Sequence, residues 1–315
     1  MIDIILALAP IFLLIALGNL VRRTGFLPAD FWGGAEKLVY WGLFPCLLFR
    51  KAALAPLDAL AIGPLAVTLL GAIAMAGAAV FLLKPWLRLP DSSFGSVFQA
   101  SIRQNVYVGF AAAATLAGPN GAALAAVSAA IMVPMVNALS ITTLLALHGG
   151  AAGQRAQGLA MWVKVGRGLV THQLILAIVL GLLVNVTGVG IPPVVDGLTD
   201  ILSAGALPVA LLTVGAGLQL KALGAVGGTV GRAMVTGVLV KLALLPAVAV
   251  GIGMLVGLEG AALLVAAIFA ALPSSASGYH MARQMGGDGP LIAGIITAQT
   301  LLAMASLPLI ILLVR

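Results

Sequence analysis

The chain has 315 residues, of which 62% are hydrophobic and only 8% charged, and its mean hydropathy is +1.19. A water-soluble domain of this size does not carry so little charge, so the composition excludes a soluble enzyme or binding module. The net charge of +7 is not gathered into a basic cluster interleaved with aromatic residues, which argues against nucleic acid as a partner.

A helix needs about 20 mainly apolar residues to cross a hydrocarbon core of roughly 30 Å. In chain order, such segments are predicted at 3–21, 32–49, 60–83, 94–117, 121–147, 168–187, 195–219, 227–256, 260–282 and 290–314. The fold class is therefore an all-α integral membrane protein of ten spans. The first segment opens with Asp3 and lacks the cationic start and cleavage site of a signal peptide, so it reads as a retained span. Segment two carries Glu36 and Lys37, expected as an interfacial pair, then Pro45 and the lone Cys46, which has no disulfide or metal-binding companion. His172 and His280 fall near span ends, where a structural role is expected. Turn and breaker residues at Pro90, Gly118-Pro119, Pro192-Pro193 and Gly286-Gly287 punctuate the rest.

The ten segments read as two sets of five. Gly18, Thr24, Gly25, Gly42 and Pro45 recur 163 positions later as Gly181, Thr187, Gly188, Gly205 and Pro208. The predicted units are a first repeat at 1–148, a connecting loop at 149–167 and a second repeat at 168–315. An odd number of spans per repeat inverts the second copy relative to the first, a plan common in secondary transporters. Loops after odd-numbered segments, together with the first residues of segment eight, hold ten of the sixteen lysines and arginines, among them Arg22, Arg23, Lys84, Arg88, Lys221, Arg232 and Arg283. The positive-inside rule then predicts that both termini face away from the cytoplasm.

Polar groups at membrane depth are expensive and mark candidate sites. Segment four contains Arg103-Gln104-Asn105-Val106-Tyr107-Val108-Gly109, and segment nine contains Pro273-Ser274-Ser275-Ala276-Ser277-Gly278-Tyr279. Both are fourth in their sets. Proline and glycine let each stretch unwind and free backbone N–H and C=O groups, which is tolerated at that depth only inside protein or against a wet cavity. Free N–H groups at a half-helix start suit an anion. Arg103 lies about 13 Å of helix rise into its span, so it either contacts substrate or bonds across the crossing. Asn137, after Pro134 in segment five, either reaches the site or is packing glue. Lys241 in segment eight either packs toward the cavity, replaces a coupling cation, or carries the coupled proton. Pro45 and Pro208 either shape a sliding scaffold face or merely bend their helices.

This constellation resembles the auxin efflux carrier family, which includes the plant PIN carriers and bacterial permeases for malate and malonate. The resemblance is carried by Arg103, Asn105, Tyr107 and Gly109, by the run Thr213 to Leu218, by Pro273 to Tyr279 and by the late Pro308. It implies a scaffold of segments 1, 2, 6 and 7 that dimerises, and a transport domain of segments 3–5 and 8–10 that moves as an elevator. Segments four and nine would cross at breaks marked by Gly109, Pro273 and Gly278. Substrate would bind there, met by Arg103, Gln104, Asn105, Tyr107, Asn137, Ser274 and Ser275.

The implied function is secondary active transport of a small organic anion, a mono- or dicarboxylate, across the cytoplasmic membrane of a bacterium. No cofactor or metal is expected. Coupling to H+ or Na+ stays open, with Na+ disfavoured because segment three offers only Thr68 and Met75 where the plant carriers have an acid. A bile acid:sodium symporter-like carrier shares the inverted plan, and a channel or sensor on a transporter fold is a further alternative. An enzyme is not expected, since the spans lack a nucleophile with a base, paired aspartates or a metal cluster.

Overall fold

The computed structural model describes residues 2–55, 61–148, 173–224 and 227–314. The predicted connecting loop at 149–167 and His172 lie outside the described residues. Every regular element among the described residues is helical. Six stretches are long and apolar enough to cross a membrane: Ile2–Thr24, Ile62–Leu87, Asp91–Leu147, Pro193–Ala216, Gly228–Leu255 and Gly289–Val314.

In chain order the helices are α1 (Ile2–Thr24), α2 (Ala29–Leu38), α3 (Phe44–Ala53), α4 (Ile62–Leu87), α5 (Asp91–Ile102), α6 (Val106–His148), α7 (Gln173–Thr187), α8 (Pro193–Ala216), α9 (Gly228–Leu239), α10 (Leu245–Leu255), α11 (Gly260–Ala271), α12 (Ser277–Gln284) and α13 (Gly289–Val314). Several predicted segments are thus composite. Segments four and five form one apolar run in which α5 and α6 are separated by three residues, and α6 itself is bent at Gly118 (φ 58°, ψ −145°). That backbone geometry requires glycine, and Pro119 then restarts the helix with its fixed φ and no N–H to satisfy.

Segments two and eight each contain a five-residue π-helical stretch, Val39–Leu43 and Val240–Leu244. Each stretch ends two residues before a proline, Pro45 and Pro246. A proline ring collides with the carbonyl four residues back and offers no N–H to it. Widening the ladder by one residue relieves both problems. Pro208, the sequence counterpart of Pro45, sits inside the unbroken α-helix α8. The two prolines therefore do different local work.

Two close crossings organise one side of the molecule. α1 packs on α8, and α3 packs on α7. At Gly18 an added Cβ would run into the Leu212 carbonyl, and at Gly181 one would run into the Phe49 carbonyl. Small residues let membrane helices approach to backbone contact in this way. The ends of these helices are tied by side chains that satisfy last-turn carbonyls. Arg22 donates to the Ala216 carbonyl and Asn19 to that of Gly215 at 3.1 Å. Asn185 Nδ2 lies 2.8 Å from the Ala53 carbonyl and 3.2 Å from that of Ala52. Arg50 joins α3 to the start of α8 through Asp196, at 2.8 Å, and Asp200.

On the other side, α4, α5, α6, α9, α10, α11 and α13 pack into one bundle. Its centre is α11, in which every residue from Leu263 to Ala271 is buried. Outward faces of α1, α7 and α8 leave Leu6, Leu13, Leu183, Val194 and Ile201 exposed, the surface expected against lipid.

Candidate functional site

The site is built from two helix breaks. α5 stops at Ile102, the chain runs extended through Arg103 (φ −76°, ψ 145°), and α6 starts at Val106. α11 stops at Ala271, Leu272 is extended (φ −64°, ψ 147°) as the residue before a proline prefers, and α12 starts at Ser277. The breaks meet directly, since the Asn105 N–H donates to the Pro273 carbonyl at 2.8 Å. Gly109 faces Leu272 and Phe269, leaving no room for a Cβ. Both glycines expected at the breaks, Gly109 and Gly278, lie within the helices that follow them and serve close approach.

Asn105 is buried and caps α6. Its Oδ1 accepts the Val108 N–H at 3.4 Å and its carbonyl accepts the Gly109 N–H at 3.1 Å. The N–H groups of Val106 and Tyr107, in the first turn, have no intrahelical acceptor.

Arg103 is 6% exposed. Its Nη1 donates to Asn137 Oδ1 at 3.0 Å and Ser277 Oγ at 3.3 Å, and Nη2 contacts Met281 Sδ at 3.3 Å. Nε has no hydrogen-bond partner, and among the described residues no carboxylate pairs with the guanidinium. The Arg103 stem passes over Gly278, whose Cβ, if present, would lie 3.2 Å from Arg103 Cδ.

A cavity of about 690 Å³ opens beside these groups. From the breaks it is lined by Arg103, Gln104, Val106, Tyr107, Ser275, Ala276 and Ser277, and from the second half of α6 by Asn137 and Ile141. The opposite wall holds Glu36, Tyr40, Leu174, Thr213 and Val214. Tyr107 is held edge-on against Phe44, with ring centroids 4.7 Å apart. The cavity thus presents one guanidinium, the starts of two helices and two phenols against walls that are otherwise apolar except for the Glu36 carboxylate, which lies beside His280. That is a chemistry suited to a partly apolar molecule with a negative group.

Of the residues predicted for the site, Arg103, Gln104, Tyr107, Asn137 and Ser275 line the cavity, while Asn105, Ser274 and Pro273 lie in the joint behind it. Lys241 lines no part of it. The lysine is fully buried in the π stretch, where Nζ donates to the Ala270 carbonyl at 3.0 Å. Ala270 belongs to the last turn of α11, whose carbonyls lack intrahelical donors and carry the negative end of the helix dipole. Glu36 faces the cavity, 3.5 Å from His280 Nε2, so the interfacial partner expected for it, Lys37, gives way to a histidine from α12.

Over residues 3–311 the chain matches the family described as membrane transport protein. It belongs to that family. This is the auxin efflux carrier family that Arg103, Asn105, Tyr107 and Pro273 suggested, and membership identifies the chain as a multi-pass membrane protein of transport. No curated protein matches it. Cavity-lining residues that sequence reasoning missed in this family member are Tyr40 and Glu36. Neither had a readable signal, because only the fold carries α2 and the π stretch after it to the cavity.

Proposed function

We propose that this member of the family is a secondary active carrier of a small organic anion, a mono- or dicarboxylate, in a bacterial cytoplasmic membrane. The observation that carries the reading is Arg103, a buried guanidinium without a carboxylate partner, set between two half-helix starts at the wall of a 690 Å³ cavity. A fixed cation at that depth is best compensated by a mobile anion.

Ten spans in two inverted repeats are the architecture we favour. The contacts Gly18 with Leu212 and Gly181 with Phe49 are the same pair displaced by 163 positions, and so are Arg22 to Ala216 and Asn185 to Ala53. Repeats related by a two-fold axis would repeat their interfaces in this way. The scaffold is then α1, α2–α3, α7 and α8, which dimerises through its exposed apolar faces. The transport domain is α4–α6 and α9–α13. The cavity lies between the two, with Glu36, Tyr40, Thr213 and Val214 on the scaffold side, as an elevator movement of one domain past the other requires. Both termini face away from the cytoplasm, following the distribution of lysine and arginine. Lys241 occupies the carbonyl end of α11 and takes the place of a coupling ion or carries the coupled proton.

The test is thermal unfolding of the purified protein with malate, malonate, citrate, lactate and indole-3-acetate, in sodium and in potassium buffer at two pH values. A ligand of the folded state raises the transition by mass action. A shift with a carboxylate that disappears in Arg103→Gln supports the reading. A shift only with neutral or cationic compounds overturns it.

A further inference from the structure

We infer that Gln299 is the positioning residue that holds the two helix breaks in register and so sets the geometry of the anion site, an inference that rests on the function proposed above. Gln299 lies in the middle of α13 and is fully buried. Its Oε1 accepts the Ser274 N–H at 2.9 Å, and its Nε2 donates to the Ala100 carbonyl at 3.1 Å and the Gly237 carbonyl at 2.8 Å.

Two of the partners are groups that the helices cannot satisfy by themselves, and the third, the Gly237 carbonyl, also accepts the Val240 N–H. Ala100 is in the last turn of α5, where carbonyls lose their donors because the chain leaves the helix at Arg103. Ser274 follows Pro273 in the second break, where no helix supplies an acceptor for its N–H. Gly237 sits just ahead of the π stretch that carries Lys241, where the α-helical ladder changes step. One amide therefore spans both breaks and α9, using both of its N–H donors.

This second tie is independent of the Asn105–Pro273 bond. With the Ser274 N–H turned away toward Gln299, the residues that continue the same break into the cavity are Ser275 and Ala276. With the Ala100 carbonyl held, Arg103 and Gln104 of the first break are placed on the cavity lining together with them. Loss of the amide frees the two breaks to drift relative to each other, and the hydrogen bonds each offers to an anion weaken steeply once distance and angle leave the bonding range.

The experiment compares wild type, Gln299→Leu and Gln299→Glu. Affinity is measured for whichever of malate, malonate, citrate, lactate and indole-3-acetate binds wild type, at mildly acidic pH where a buried carboxyl is neutral and keeps one donor and one acceptor. Unfolding temperature is recorded for each, together with hydrogen exchange in peptides covering 100–108 and 272–278. The expected result is an affinity loss of about tenfold or more in Gln299→Leu, the equivalent of one hydrogen bond to a charged group, substantial recovery in Gln299→Glu, and faster exchange in both peptides of the leucine variant together. Wild-type affinity in Gln299→Leu overturns the inference, as does equal weakening of both variants in proportion to lost stability. If wild type binds none of the carboxylates, the proposed function fails, and the exchange data still decide this point. Exchange that quickens in only one peptide, or in neither, overturns the coupling.

Discussion

The Asn105 amide and the Pro273 carbonyl, 168 positions apart in the chain, are joined by a 2.8 Å hydrogen bond at the point where both helices are broken. Each residue satisfies a backbone group that the other break has exposed. Asn105 also caps α6 through its side chain, so truncation to alanine removes a cap. We expect Asn105→Ala to cost about 1 kcal/mol of stability and to weaken carboxylate binding through the joint. Asn105→Ser, which retains a capping oxygen, recovers most of the stability in thermal unfolding. A serine variant no more stable than the alanine one would show that the cap is not what matters here.

Arg103 holds Asn137 and Ser277 through one nitrogen and Met281 through another. A planar fork makes these contacts and an ammonium does not. Arg103→Lys, although it keeps the charge, is therefore predicted to lose most of the thermal shift produced by a carboxylate, with Arg103→Gln losing all of it. Retention of the full shift in the lysine variant would mean that charge alone suffices.

Gly278 gives a gentler test of the same side chain. An added methyl group would lie 3.2 Å from both Arg103 Cδ and Ile292 Cδ1, closer than such contacts normally are, so the arginine stem has to give way by a few tenths of an ångström. Gly278→Ala is expected to lower carboxylate affinity several-fold while changing unfolding temperature little. Strong destabilisation with unaltered affinity would place the strain on Ile292 instead.

How much of this was legible in the sequence depends on the range of the interaction. The all-helical apolar character, the glycine-proline turn at Gly118-Pro119 and the polar stretches around Arg103 and Pro273 could all be read, because local chemistry decides them. The division of labour inside those stretches could not. Asn105 looked like a substrate contact because polar groups at depth suggest function, yet the chain turns it inward to cap its own helix, leaving Arg103 and Gln104 on the cavity. The different behaviour of Pro45 and Pro208 was hidden for a similar reason. Matching residues forecast the same bend at both, whereas the ladder widens before Pro45 and α8 runs unbroken through Pro208. Glu36 of α2 and Tyr40 of the following π stretch reach the cavity only through the tertiary fold.

The paired crossings of α1 with α8 and α3 with α7 predict equivalent effects at positions 163 apart. A larger side chain at Gly18 or Gly181 meets a backbone carbonyl, which cannot rotate away. Gly18→Val and Gly181→Val should each destabilise by about 1–3 kcal/mol or more, seen as similar drops in unfolding temperature. A large drop in one and none in the other would count against matched repeats.

Lys241 separates stability from transport. Its ammonium is fully buried and donates to one carbonyl, that of Ala270. Removing a lone buried charge relieves its desolvation cost but leaves the Ala270 carbonyl without this donor, two effects of opposite sign, so Lys241→Met is expected to unfold close to the wild-type temperature. Transport into proteoliposomes should behave differently. If the ammonium stands in for a coupling ion or carries the coupled proton, both Lys241→Met and Lys241→Gln lose the pH dependence of uptake and the ability to concentrate substrate, while exchange of substrate across the membrane persists. Wild-type transport kinetics in these two variants would reduce Lys241 to a cap on the carbonyl end of α11.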